Sequence, residues 1–420
     1  MGYVVFENTV HSYSKICTIV ITEIKINNFK SVADLTLPLG RFNVLIGSNG
    51  AGKSNILEAI AFGAAASADK LDNEFLGSRG IRTSSAQLMK SAFGGDTLLE
   101  PIVIGVENYP DLVIEEQSKP ILKWIVKNDP AFEETTKEIL IGLYTKEIFE
   151  SELFKALDEE AQKRLLLTSS KLVESTQDVG FFTNRLKSLP DNTVSNLLLK
   201  SYYSKIGLAD FIIYSPEISS LRKFDEESQI QPLGVKGEGL FKILEIFYEN
   251  YPAETIDEIR QYLHIIEWFG DFEAVFDRVS GRKSLVVKDR NLPDVSLNQH
   301  NVNEGFLFLL FYISLMISKE TPAFFAIDNI EASFHPALCE ELIKRLVELA
   351  KKYNKQVILT THNPFVLDGL DLNDPEQKLF VVRRDGDGGT VADDIAPIKN
   401  SKLSEAWMRG RIGGQPETIN

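Results

Sequence analysis

Gly47-Ser48-Asn49-Gly50-Ala51-Gly52-Lys53-Ser54 decides the reading of this chain. Before it, Arg41-Phe42-Asn43-Val44-Leu45-Ile46 is a short apolar run ending in a glycine turn, which reads as a buried strand. After it, Ile56, Leu57, Ile60 and Ala61 recur at helical spacing, so a helix opens at Lys53. Strand, glycine loop and helix with Gly-x4-Gly-Lys-Ser between them form the phosphate-loop pattern. Glycines let backbone N–H groups converge on phosphate oxygens, and the new helix points its unsatisfied donors and positive dipole end at the same anion. Lys53 adds a point charge, and the Ser54 hydroxyl suits Mg2+. Ser48, Asn49, Gly50, Ala51, Gly52, Lys53, Ser54 and Asn55 are therefore the candidate nucleotide-binding residues.

Two later segments fit the same chemistry. Phe324-Phe325-Ala326-Ile327 is an apolar run that delivers one carboxylate, Asp328, at its end. A buried strand ending in an acid is how a Walker B strand presents a group to Mg2+, beyond the carboxyl ends of an α/β sheet. One helix and one strand later, Lys355–Thr361 ends in His362, a residue type able to reach a γ-phosphate or the attacking water.

Working outward, apolar strands alternate with amphipathic helices, which argues for an α/β fold with a largely parallel central sheet. Strands are expected from Val20 onward, at 101–127 as an antiparallel β subdomain, at 210–215, 284–290, 323–328 and 355–362, with 378–384 the last. The run 303–318 is too short for a membrane span and reads as a buried core helix. Residues 147–207 turn helical and charged without sustained heptads, as an inserted helical arm would. The expected organisation is an extension over 1–19, an N-terminal lobe over 20–146, the insertion over 147–207, a C-terminal lobe over 208–400 and a tail over 401–420, the tail reading as a docking segment.

Composition excludes other classes. The 420 residues are 44% hydrophobic and 25% charged, ordinary for a globular chain. A net charge of −15 does not predict a constitutive nucleic-acid binder, though a local basic groove is compatible with it. Two cysteines far apart, Cys17 and Cys339, build neither a disulfide framework nor a zinc cluster, and no secretory leader is visible. A cytoplasmic setting without a membrane partner is the expectation.

The order NNFKSV, GSNGAGKSN, VNEG, FFAIDNIEASFHP and TTHNP resembles the ABC-type ATPase heads of the SMC/RecF/OLD group. Its compact layout is similar to stand-alone bacterial AAA/ABC-type ATPases of anti-phage and toxin–antitoxin-like systems. The resemblance implies a P-loop ABC-type head, ATP and Mg2+ as cofactors, and a homodimer or higher homo-oligomer in which two heads sandwich two nucleotides. It places Asn303 and Gly305 in a degenerate signature that meets the partner's nucleotide, Lys30 near adenine and phosphates, and Gln87 as a Q-loop residue bridging Mg2+ and water. Arg79 and Arg82, in the same loop, are basic and glycine-flanked and could meet phosphates of nucleotide or DNA. The position after Asp328 normally carries a catalytic Glu, and here it is Asn329, whose amide is no general base. Glu331 is the expected substitute, with His362 next; the alternative is very slow hydrolysis with ATP serving mainly to hold a dimer. An OLD-type nuclease domain and long coiled coils are missing, so nuclease or toxin activity is expected from a separate effector protein. Three functions remain open: a regulator of such an effector in phage defence, a DNA-associated repair ATPase, and a nucleotide-dependent scaffold.

Overall fold

A computed structural model describes residues 20–83, 86–93, 100–117, 123–127, 200, 203–223, 232–276, 283–292, 294–398 and 401–413. The expected extension at 1–19 and most of the insertion at 147–207 lie outside the described residues.

The chain begins with the hairpin β1 (Glu23–Phe29) and β2 (Val32–Pro38), then β3 (Phe42–Ile46), α1 (Lys53–Ser67), α2 (Asn73–Ser78) and α3 (Ala86–Met89). Next come β4 (Ile102–Val106), β5 (Leu112–Gln117), β6 (Lys123–Lys127), β7 (Ile213–Tyr214) and α4 (Ile218–Leu221). Helices α5 (Leu240–Asn250) and α6 (Ala253–Leu263) lead to β8 (Phe269–Phe276), β9 (Lys283–Asp289) and β10 (Ser296–Leu297). The last section holds α7 (Glu304–Ile317), β11 (Phe324–Ile327), α8 (Pro336–Lys352), β12 (Gln356–Thr361), β13 (Gln377–Arg384), β14 (Thr390–Asp394) and α9 (Leu403–Met408).

One sheet runs β14-β13-β3-β12-β11-β7. Strands β13, β3, β12, β11 and β7 pair in parallel, and β14 closes one edge antiparallel. Its strands are apolar on both faces because both are covered. Period two then sorts the side chains. Phe42, Val44, Ile46, Phe325, Ile327, Val357, Leu359, Leu379 and Val381 enter one core, with α5, α7, α8 and the β10-β9-β8 sheet. Leu45, Phe324, Ala326, Ile358, Phe380 and Val382 enter the other, with α1 and the antiparallel sheet β2-β1-β4-β5-β6. Asn43 breaks the apolar run of β3 without cost, because its side chain bonds the Gly40 N–H at 2.8 Å and the Gly40 and Val357 carbonyls at 2.9 and 3.1 Å.

Two helices are buried all round. Every residue of α1 from Ile56 to Ser67 is buried, since sheets lie on both sides of it. Every residue of α7 from Gly305 to Ile317 is buried as well, which is why its sequence is uniformly apolar. α8, by contrast, buries Leu342, Ile343, Leu346 and Leu349 on one side and exposes charges on the other.

The architecture agrees with the expected mixed α/β head with a parallel central sheet and an antiparallel β subdomain. Some elements differ. The strand expected over 210–215 shrinks to Ile213–Tyr214, because a helical turn occupies Leu208–Asp210. Residues 378–384 are not the last strand: Asp385–Gly389 turns the chain back into β14. The described part of the tail, 401–413, folds onto this chain's own body, where the backbone N–H and hydroxyl of Ser404 bond Asp368 at 3.0 and 2.6 Å and Trp407 packs on the first core.

Candidate nucleotide site

The loop between β3 and α1 can be made only with glycine at defined places. Gly52 has φ 112° and Gly50 φ 76°, in the left-handed region. A Cβ on Gly47 would lie 2.1 Å from the Val382 carbonyl oxygen, and one on Gly52 would lie 2.0 Å from Thr390 Oγ1. The N-terminus of α1 has no side-chain cap, so its first N–H groups face the loop. Lys53 Nζ crosses the loop to donate to the Gly47 and Ser48 carbonyls at 2.8 and 3.2 Å.

Strand register brings the other groups there. β3 pairs with β12 so that Ile46 is opposite Thr361, which sets His362 beside Gly47. His362 Nδ1 is 3.3 Å from Lys53 Nζ. β11 pairs with β12 so that Ile327 is opposite Leu359, which sets Asp328 beside Thr360, whose hydroxyl donates to Asp328 Oδ1. Ser54 Oγ donates to Asp328 Oδ2 at 3.3 Å. Two hard oxygens from the P-loop helix and the Walker B strand are a donor set that fits Mg2+, which takes one or two protein oxygens and completes its shell with phosphate and water.

Past Asp328 the chain turns sharply. Asn329 sits at φ 57°, which Asn tolerates better than most residues, and its N–H donates to Thr360 Oγ1 at 2.9 Å. The Asn329 side chain is exposed. That turn sends Glu331 back toward the histidine: its Oε1 accepts the His362 N–H at 2.7 Å. Its Oε2 is buried and, like the buried Tyr312 hydroxyl, has no hydrogen-bond partner among the described residues.

Electrostatics follow from this crowding. Burial pulls the Lys53 ammonium down to about 8, and the carboxylates of Asp328 and Glu331 hold it from falling further. Burial, and then the neighbouring Lys53, lower the His362 imidazole below its ordinary value against the opposing pull of Glu331. Both effects favour the neutral imidazole.

Other expected residues are placed differently. Lys30 sits at φ 48° in the β1–β2 turn, with Nζ paired to the buried Glu58 carboxylate and donating to the Arg82 carbonyl at 3.1 Å. Arg82 Nε completes the cluster at 2.6 Å from Glu58. Lys30 is thus one helical turn along α1 from Ser54. The Asn55 amide donates to Ser31 Oγ at 2.6 Å, so it fastens the β1–β2 turn to α1. Arg79 does not face a ligand: its guanidinium lies over the Phe75 ring and donates to the Phe211 carbonyl at 2.9 Å. Gln87 falls in α3, and its side chain lies outside the described residues. Asn303 caps α7 by accepting the Gly305 N–H at 2.8 Å, and Glu304 accepts from Ser333 Oγ at 3.3 Å. The signature therefore abuts the loop that follows Asp328. Arg384 and Thr390, which no local motif marks, touch the P-loop: Arg384 Nε donates to the Gly50 carbonyl at 2.9 Å and Thr390 Oγ1 to the Ala51 carbonyl at 3.0 Å.

The family described as "AAA domain, putative AbiEii toxin, Type IV TA system" matches residues 42–368. The DNA double-strand break repair Rad50 ATPase of Sulfolobus acidocaldarius is 32% identical over 124 residues, which are 29% of this chain and 14% of that protein. The uncharacterized protein MJECL11 of Methanocaldococcus jannaschii is 34% identical over 90 residues, 20% of this chain and 78% of that one. A crystal structure of an SMC head bound to the C-winged helix domain of ScpA aligns with a TM-score of 0.50 and 15% identity, covering 90% of this chain and 98% of that one, a likeness of fold. With its P-loop, Walker B carboxylate and histidine at the carboxyl ends of adjacent parallel strands, the chain belongs to this AAA-domain family and has the ABC-type head fold of the SMC group.

Proposed function

We propose that this chain binds ATP with Mg2+ and hydrolyses it slowly, that two copies close on two nucleotides, and that closure controls a separate nuclease or toxin in anti-phage defence. The observation that carries the reading is the convergence of Lys53, Ser54, Asp328 and His362, with Glu331 tied to His362, at one end of the parallel sheet. The P-loop amides and the α1 N-terminus take the β- and γ-phosphates, and Lys53 moves from the Gly47 and Ser48 carbonyls onto them. Ser54 and Asp328 hold Mg2+, which neutralises charge developing on the phosphate oxygens. Neutral His362 orients the attacking water. Glu331, with one oxygen on the His362 N–H and the other buried, holds that residue in place. The base position after Asp328 is left to Asn329, whose amide takes no proton, so turnover is slow.

Closure of two heads uses the α7 N-terminus, beside the loop that follows Asp328. Asn303 is exposed and keeps its amide N–H2 donors while its oxygen caps α7. The helix N-terminus behind it favours a partner's γ-phosphate. A role in defence is supported by the family's description, which names an AbiEii toxin and a type IV toxin–antitoxin system. A second reading, a DNA-associated ATPase, is supported by the stretch similar to the Rad50 ATPase. The charge of −15 favours the first reading. Turnover measured with and without duplex DNA separates them: DNA-independent hydrolysis supports the regulator, and strong stimulation supports the DNA-associated enzyme.

A further inference from the structure

We infer that the β13–β14 hairpin is a clamp on the P-loop, with Arg384 and Thr390 as positioning residues for the triphosphate. The inference rests on the nucleotide-binding reading of that loop. Arg384 and Thr390 face each other as the last cross-strand pair of the hairpin. From there they bond two successive P-loop carbonyls, those of Gly50 and Ala51. In a trans peptide the carbonyl and the next N–H point in opposite directions within one plane. Holding the Gly50 and Ala51 oxygens outward therefore turns the Ala51 and Gly52 N–H groups inward, where a phosphate sits. The Ala51 N–H does point across the loop, donating to the Ser48 carbonyl at 3.3 Å.

The clamp is itself held rigid. Asp385 Oδ1 accepts the Asp387 and Gly389 N–H groups at 3.0 and 2.7 Å, which fixes the hairpin turn. Arg384 Nη1 donates to the Gly388 carbonyl at 2.7 Å, and its guanidinium lies over the Phe93 ring at 5.4 Å. On the far strand, the Thr390 N–H donates to the Ser31 carbonyl at 2.7 Å, tying the hairpin to the β1–β2 turn. Arg384 is exposed and Thr390 buried, so Arg384 can be changed without opening a core. An Arg at this place serves better than Lys because its planar fork reaches Gly50 and Gly388 together while stacking on Phe93.

The test uses the full chain with Arg384→Met, which keeps an apolar stem on Phe93 and removes the donors. Titration calorimetry with ATP and Mg2+ should give about three- to tenfold weaker binding, the range for one ordinary hydrogen bond lost. Amide hydrogen exchange at Ala51 and Gly52 should quicken in the nucleotide-free protein, with the unfolding midpoint unchanged. Turnover at saturating ATP should stay as in the wild type while KM rises, and Arg384→Lys should fall between the two. Wild-type affinity and exchange in Arg384→Met, when Lys53→Ala has lost binding, overturns the clamp and leaves the nucleotide reading intact. Weaker binding accompanied by a lowered unfolding midpoint also overturns it, since that marks a structural role. Failure of the wild type itself to bind ATP overturns both.

Discussion

Truncating Lys53 to alanine separates the ligand role of this side chain from its structural one. Lys53 is almost fully buried, and its ammonium is satisfied by two loop carbonyls at 2.8 and 3.2 Å. Because its pKa is lowered from 10.5 to about 8, the fold tolerates the charge at a cost on the order of 3 kcal/mol at pH 7. That cost is present in full below about pH 8 and fades as the pH rises from there toward the unfolded value of 10.5. Alanine removes the cost and also gives up two hydrogen bonds worth ~1 kcal/mol each. The two terms cancel to within about 1 kcal/mol, so Lys53→Ala should unfold close to the wild type at pH 7. Its effect on ATP should be large. A unit charge about 4 Å from a phosphate charge contributes up to about 4 kcal/mol at an effective dielectric near 20. Even half of that costs about 30-fold in affinity. Calorimetric unfolding of the nucleotide-free protein and titration with ATP and Mg2+ measure the two quantities independently. A folded Lys53→Ala protein whose ATP affinity drops less than about fivefold would refute the placement of the triphosphate in this loop.

Binding should also carry a pH signature: phosphate raises the pKa of Lys53 from about 8, so near and above that pH the protein takes up a proton as ATP binds and the affinity falls. Calorimetry in buffers of different ionisation enthalpy reads that proton directly. Asn329→Glu should speed hydrolysis at least about tenfold, a conservative part of the ~10²–10⁴-fold that general-base assistance supplies. Glu331→Gln, by loosening its hold on His362, should slow it while ATP stays bound, and unchanged steady-state turnover in both variants would overturn the roles given to Asn329 and Glu331. Gly47→Ala should cost about 1–3 kcal/mol in unfolding free energy as well as ATP binding, because its Cβ meets the Val382 carbonyl oxygen at 2.1 Å; a variant as stable as the wild type in denaturant would show that the loop can give way.

The parts legible in the sequence were those in which chemistry is local. The P-loop compresses strand end, glycine geometry and helix start into eight consecutive residues, so its fold follows from its spelling. The strands β3, β11 and β12 were equally plain, because burial on both faces demands largely apolar runs, with Asn43 in β3 as the exception its own hydrogen bonds permit. Where identity depends on tertiary closure, the sequence is quieter. β14 carries Thr390 and Val391 in a polar context, and it becomes a strand only by pairing with β13. Arg384 reaches Gly50 across more than three hundred residues, a contact no local spacing encodes. Glu331, three residues past Asp328, reads as the substitute base, yet the left-handed turn at Asn329 carries it onto the His362 N–H. Asn55 belongs to the motif by position and to the β1–β2 turn by contact.

The central claim, that nucleotide closes two copies of this chain, is tested most directly by mass in solution. Light scattering coupled to size exclusion should record a mass in saturating ATP and Mg2+ twice that of the nucleotide-free protein. Gly305→Arg should bind ATP yet keep the nucleotide-free mass, because the new side chain stands at the α7 N-terminus against Ser333 and Phe334, where a second head must approach. One mass for the wild type with and without ATP, or ATP-driven doubling that persists in Gly305→Arg, would contradict the account.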